Sequence, residues 1–187
     1  MALDDLWYLA DEADQQAERA YHRLRERHEG FLERRRQKPV SRDRFRTLAA
    51  RIRENGTPYG AHTIVYRPDG DLLLVRHEGV DMWVLPGGEI DPGESFRGAA
   101  RRELAEERAS RRRTRGSASS AVSRFTPAAT TPVGVLPVYA ARAEPDGPTP
   151  RPRDPDGEVG EARWFDRLPA DTRDRDVLRE WRRRRVV

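Results

Sequence analysis

Residues Trp83 to Glu107 read WVLPGGEIDPGESFRGAARRELAEE, and the character of the chain changes twice within them. The run opens in a short apolar strand, Met82 to Pro86, turns through a glycine pair, and ends as a helix crowded with acids. Gly87-Gly88 lets the backbone turn sharply and offers carbonyls to a metal or amides to a phosphate. Asp91-Pro92-Gly93 predicts a turn, and Ser95 is placed to cap the helix that follows. At about 100° per residue, Glu106 lies roughly 60° one way round that helix from Glu103, and Glu107 about 40° the other way. All three carboxylates therefore share one face. Bare, they repel one another by about 0.2–0.5 kcal/mol per pair. A divalent cation turns that repulsion into binding, and clustered oxygens select Mg²⁺, Mn²⁺ or Ca²⁺ over softer metals.

Around this stretch the period of the apolar residues changes. Ala61 to Arg67 (AHTIVYR) and Asp71 to His77 (DLLLVRH) are strand-like runs separated by Pro68-Asp69-Gly70, which predicts an antiparallel hairpin. Gly134 to Ala143 reads as a further strand in which Pro137 suggests an edge or a bulge, and Glu161 to Phe165 as a last one. Between them, Glu144 to Gly157 is a proline-rich surface loop. Asp171 or Thr172 is placed to cap a terminal helix with Val177, Leu178 and Trp181 facing inward. The arginine run Arg182 to Arg185 suits the negative end of its dipole. Strands interspersed with helices indicate an α/β or α+β domain.

Upstream, residues 3 to about 36 read as one long helix, with Leu3, Leu6, Ala10, Ala13, Ala17, Ala20, Leu24 and Phe31 on one seam. Pro39 stops it, and Ser41 caps a second helix bearing Phe45, Leu48, Ala49 and Ile52, which ends at Asn55-Gly56. The four alanines admit a close helix partner, and a homodimer through these helices is the expectation. The organisation read from the sequence is a helical extension over 1–56 and a domain over 57–187.

Composition narrows the chemistry further. The 187 residues contain no cysteine, which removes disulfides, thiolate metal sites and a cysteine nucleophile. The net charge is +4, and of 36 basic residues only Lys38 is a lysine. Acids are mixed with the arginines over most of the chain, so nucleic acid is not an expected partner. No apolar run approaches a membrane span and the N-terminus is acidic, so a soluble cytoplasmic protein is the expectation.

Taken together, Gly88, five residues, Glu94, seven residues, and then Arg102-Glu103-Leu104-x-Glu106-Glu107 resemble the signature of the Nudix hydrolases, G-x5-E-x7-R-E-U-x-E-E-x-G-U with U aliphatic. LPGG before Glu89 and Gly93-Glu94-Ser95 within the motif are similar to that family too, and the resemblance runs from Tyr59 onward. It implies a Nudix-type α/β/α sandwich around a mixed sheet, here preceded by a helical hairpin. It implies metal-dependent hydrolysis of a nucleoside diphosphate linked to another moiety, such as ADP-ribose or a CDP-alcohol. Glu103, Glu106 and Glu107 would hold Mg²⁺ or Mn²⁺ with the Gly87 carbonyl, and Glu94 and Arg102 would position the cluster. Glu103, Glu158 and Glu161 are candidates for the base, and His77 is a weaker one. A nucleoside triphosphate pyrophosphatase and a catalytically impaired Nudix-fold ligand-binding protein are the alternatives.

The chain then departs from the pattern. After Glu107, Ala109 stands where the signature has glycine and Ser110 where it has an aliphatic residue. From Arg108 to Val133 there is no acid and no alternating apolar pattern. Two readings stay open for this segment: a flexible arginine/serine stretch that binds phosphate or nucleic acid, or the product of two compensating frameshifts in a GC-rich gene.

Overall fold

Helix α1 (Leu3–Arg27) forms because its alanines recur at three- and four-residue steps and give it one narrow apolar seam. In the computed structural model, residues 3–28, 32–36, 40–108, 121–125, 134–145 and 157–185 are described; for 3–5, 35–36, 106–108 and 121–125 this extends to the backbone only. After α1 come β1 (Leu32–Arg36), α2 (Arg42–Asn55), β2 (Ala61–Tyr66), β3 (Leu72–His77) and β4 (Met82–Val84). Then follow β5 (Gly87–Gly88), α3 (Phe96–Arg108), β6 (Ala121–Phe125), β7 (Gly134–Arg142), β8 (Val159–Phe165) and α4 (Arg175–Arg185). Parallel and antiparallel pairs both occur, so the sheet is mixed and open and the class is α/β.

By contacts the chain divides into two units, the first made of Met1–Ala61, Gly88–Ala99 and Ser119–Val138. In it α1 and α2 pair through Ala13, Ala17, Tyr21 and Leu24 against Ala49 and Ile52, with Val135 of β7 in the same core. Ser41 caps α2 as its hydroxyl accepts from Arg44 N at 3.3 Å, and Gly56 ends it at φ +80°. A Cβ on Gly56 would stand 2.7 Å from Ala20 Cβ, so this glycine supplies both the left-handed turn and the close approach. The alanine seam is thus filled by α2 of the same chain. An exchange of that seam with a second copy, as its composition suggested, would have to displace α2.

Three expectations are corrected here. The helix predicted to reach residue 36 ends at Arg27, and Leu32–Arg36 is a strand, β1, parallel to β6. Gly30 lowers helix propensity by about 1 kcal/mol relative to alanine, and the chain beyond it finds a strand partner instead. The segment without an alternating pattern nonetheless contains β6, which pairs Ala121 to Phe125 antiparallel to Val138 to Gly134. Backbone hydrogen bonds are independent of side-chain pattern, which is why this strand leaves so little trace in the sequence. Pro137 lies within that ladder opposite Val122, in a strand with a neighbour on each side, rather than at an edge or a bulge. The remainder of 108–133 and most of the proline-rich loop lie outside the described residues.

The second unit is His62–Gly87, Ala100–Ala118 and Tyr139–Val187. Here β3 is central, pairing antiparallel with β2, β4 and β8. Its run Leu72 to Val75 is fully buried, as expected of a strand covered on both faces. One face carries Val65, Leu73, Val75, Val84, Ala141 and Ala162, with Leu104 of α3 upon them. Leu178 and Trp181 of α4 are buried, and Trp181 meets Tyr66 edge-on at 5.2 Å. The helix starts later than its expected caps. Asp171 is instead paired with Arg76, Thr172 bridges to Trp83, and the Asp174 carbonyl accepts the first helical bond from Leu178 N at 3.1 Å.

Candidate active site

Leu104 and Ala100, four residues apart and buried, fix which side of α3 meets the sheet of the second unit. Next to Leu104, the Glu103 side chain is only 16% exposed, and its Oε1 accepts from Arg102 Nη1 at 2.7 Å. The adjacent guanidinium thus gives this half-enclosed carboxylate a charge-assisted hydrogen bond. Glu106 and Glu107 follow on the same helix within about one turn of Glu103; their side chains lie outside the described residues. Gly87, the expected carbonyl donor, follows Pro86, whose own carbonyl accepts from Thr63 N at 2.8 Å.

The loop that leads into α3 belongs to the first unit. Its turn closes as read, with Glu94 N donating to Asp91 O at 2.9 Å and Gly93 at φ +78°. The Glu94 carboxylate accepts from Asp91 N at 3.3 Å, so this acid braces its own turn. A Cβ on Gly98 would stand 3.1 Å from Glu94 Cγ and from Ser95 Oγ, so a larger residue there would have to shift one of those side chains by a few tenths of an ångström. Arg51 of α2 pairs with Glu89 at 2.6 Å and ties the loop to the helical pair. Gly60 stands against Gly88 so closely that a Cβ there would overlap the Gly88 carbonyl.

Ser95 caps α3 through its hydroxyl, which accepts from Gly98 N at 3.0 Å, while its carbonyl accepts from Ala99 N at 2.9 Å. Ser95→Ala is expected to lower stability by about 1 kcal/mol. Urea unfolding of the two proteins measures it, and an unchanged midpoint would show that the cap is dispensable.

Comparison with known proteins decides what this loop and helix belong to. A model of the NUDIX domain matches residues 56–184, more than half of the chain. The chain belongs to the Nudix hydrolase family. A crystal structure of a MutT NUDIX hydrolase from Burkholderia pseudomallei is 30% identical, covers 65% of this chain and 94% of its own, and superposes with a TM-score of 0.50. A Bacillus subtilis (strain 168) protein named "Putative 8-oxo-dGTP diphosphatase" is 50% identical over 48 residues, 26% of this chain. The match spans 32%, about a third, of that relative's length. Among the described residues no helix is long and apolar enough to cross a membrane.

Other candidates in this Nudix chain are also placed. His77 and Glu158 come together at 3.7 Å between Nε2 and Oε2, while His77 Nδ1 accepts from Gly79 N at 3.2 Å. The backbone holds the same pair, since Glu78 N donates to Glu158 O at 2.8 Å. Glu161 is engaged by Arg163 Nε on its own strand.

Two features were not singled out from the sequence. Arg76 is clasped by Asp81 and Asp171, and the hydrogen bond from Arg76 holds the Asp171 carboxyl below the usual carboxylate range. That clasp joins residues far apart in sequence, which no local pattern announces. His62 on β2 is the other. Burial, then the charges of Arg173 and His77, lowers its pKa to about 4, and its Nδ1 has no hydrogen-bond partner among the described residues. The available signal was a histidine inside an otherwise apolar strand.

Proposed function

We propose that the chain hydrolyses the pyrophosphate bond of a nucleoside diphosphate linked to another moiety, with a divalent metal ion. The observation that carries this reading is the enclosed Arg102–Glu103 pair, on the helix where Glu106 and Glu107 follow within a turn. The donors fit Mg²⁺ or Mn²⁺: carboxylates with the Gly87 carbonyl form an all-oxygen set, and the chain has no sulfur ligand of the thiolate kind. Glu103, Glu106, Glu107 and Gly87 would hold the metal. When bound, it neutralises pyrophosphate oxygens and makes a water acidic enough to attack at neutral pH.

The chain's own residues supply the rest. Arg102 holds the Glu103 carboxylate in one orientation through a charge-assisted hydrogen bond. Glu94 braces the Asp91 turn, which keeps the loop in one shape as it enters α3. Glu103 is our first choice for the group that takes the proton from water, and Glu158, beside His77, is the second.

ADP-ribose-like or CDP-alcohol-like compounds are the substrate class we favour. A second reading, a nucleoside triphosphate pyrophosphatase, is supported by the 50% identity to the Bacillus subtilis relative over 48 residues. The test is a Mg²⁺-supplemented screen of ADP-ribose, CDP-alcohols, dNTPs and 8-oxo-dGTP, with Glu106→Gln as control. Release of a mononucleotide that EDTA and the substitution both abolish is the expected result. The co-product separates the two readings: a phosphorylated sugar or alcohol for the first, inorganic pyrophosphate for the second. Turnover that survives in Glu106→Gln would remove the mechanism.

A further inference from the structure

The outer face of α1 carries the most exposed large apolar side chains among the described residues. Trp7 is 66% and Tyr8 64% exposed, and they stack edge-on at 5.5 Å. Farther along the helix a shallow groove of about 440 Å³ is lined by Asp14, Gln15, Glu18 and Arg19. None of these residues belongs to the alanine seam, which α2 already covers.

Charge is segregated along the same helix. Residues 3–14 contain five acids and no base, whereas 15–27 contain four arginines and His22 against Glu18 and Glu26. A parallel partner would set like halves together. An antiparallel copy sets each acidic half against a basic one.

We propose that α1 is a self-association surface, on which a second copy of this chain lies antiparallel across a two-fold axis at Gln15. The residue spacing supports that register. Asp11 and Arg19 stand equally far on either side of Gln15, as do Tyr8 and His22, and all four lie within about 40° of Gln15 round the helix. The axis therefore brings each pair together twice: an ion pair and an aromatic pair. Asp11 already accepts from Gln15 Nε2 at 2.9 Å, which aims its carboxylate along the helix toward the groove. Glu12 and Glu18 also stand opposite each other in this register, but each has a cation or imidazole on its own chain, Arg53 for Glu12 and His22 for Glu18. At 25 residues α1 is about 37 Å long, enough for several turns of contact on each side of the axis.

Sedimentation of the full chain between about 1 and 100 µM tests this, the range in which modest interfaces dissociate. A dimer is expected, and Tyr8→Ala is expected to weaken it at least about tenfold. Asp11→Arg and Arg19→Asp each place two like-charge pairs across the axis and should weaken it about tenfold or more. The double reversal D11R/R19D restores opposite charges at both positions and should return the affinity to within about threefold of the parent. Circular dichroism establishes that each variant keeps its helices. A parent chain that stays monomeric at about 100 µM overturns the proposal. So does a double variant as weak as the single ones.

Discussion

Glu103→Gln is expected to reduce kcat by a factor of about 10³ or more, a barrier increase of roughly 4 kcal/mol. The substitution keeps the size of the side chain, and glutamine still offers an oxygen to Arg102 Nη1, now 2.7 Å from Glu103 Oε1. The fold should therefore hold, while the negative charge that attracts a divalent cation is gone. Mn²⁺ affinity should fall at least about tenfold in parallel, which electron paramagnetic resonance reads without any substrate. Equal Mn²⁺ affinity in the two proteins would take Glu103 out of the metal site. Unchanged kcat with weakened Mn²⁺ binding would leave it a ligand of no catalytic consequence.

The second large effect is on stability and comes from His62. Its folded pKa of about 4 lies well below the ordinary value of 6.5, because burial and the nearby charges of Arg173 and His77 oppose its protonation. Below about pH 6.5 the unfolded chain takes up a proton that the folded chain refuses. Stability is therefore complete above that pH and is lost as pH falls toward 4, by about 3 kcal/mol in all. Urea unfolding at pH 7.5, 5.5 and 4.5 should show this slope in the parent and a flatter one in His62→Gln. Parallel slopes would mean that carboxylates alone govern the acid limb.

What could be read in the sequence was local. The Asp91-Pro92-Gly93 turn, the Ser95 cap and the Ser41 and Gly56 ends of α2 all depend on residues within a few positions, whereas Gly87-Gly88, read as a turn, is the short strand β5 because β2 pairs with it. The β2–β3 hairpin was legible too, because buried strands alternate or run apolar around a turn signal. The failures were non-local. Leu32–Arg36 has one apolar residue and is a strand because β6 lies beside it, some ninety positions later. The expected caps Asp171 and Thr172 were plausible until Arg76 and Trp83 engaged them from another strand. His62 was not singled out, since burial and distant charges are what set its ionisation. Within the candidate site the residue types and spacings were visible from the start. The pairing of Arg102 with its immediate neighbour Glu103 depends on how enclosed that side chain is, which spacing does not report.

Phe96, the first residue of α3, packs against the core that α1 and α2 build, and stands 3.6 Å from a Cβ placed on Gly56. The first turn of α3 is thus anchored on the helical pair of its own unit. Warming that separates α1 from α2 would strip that turn of its packing and leave it held by the Ser95 cap and its own backbone bonds.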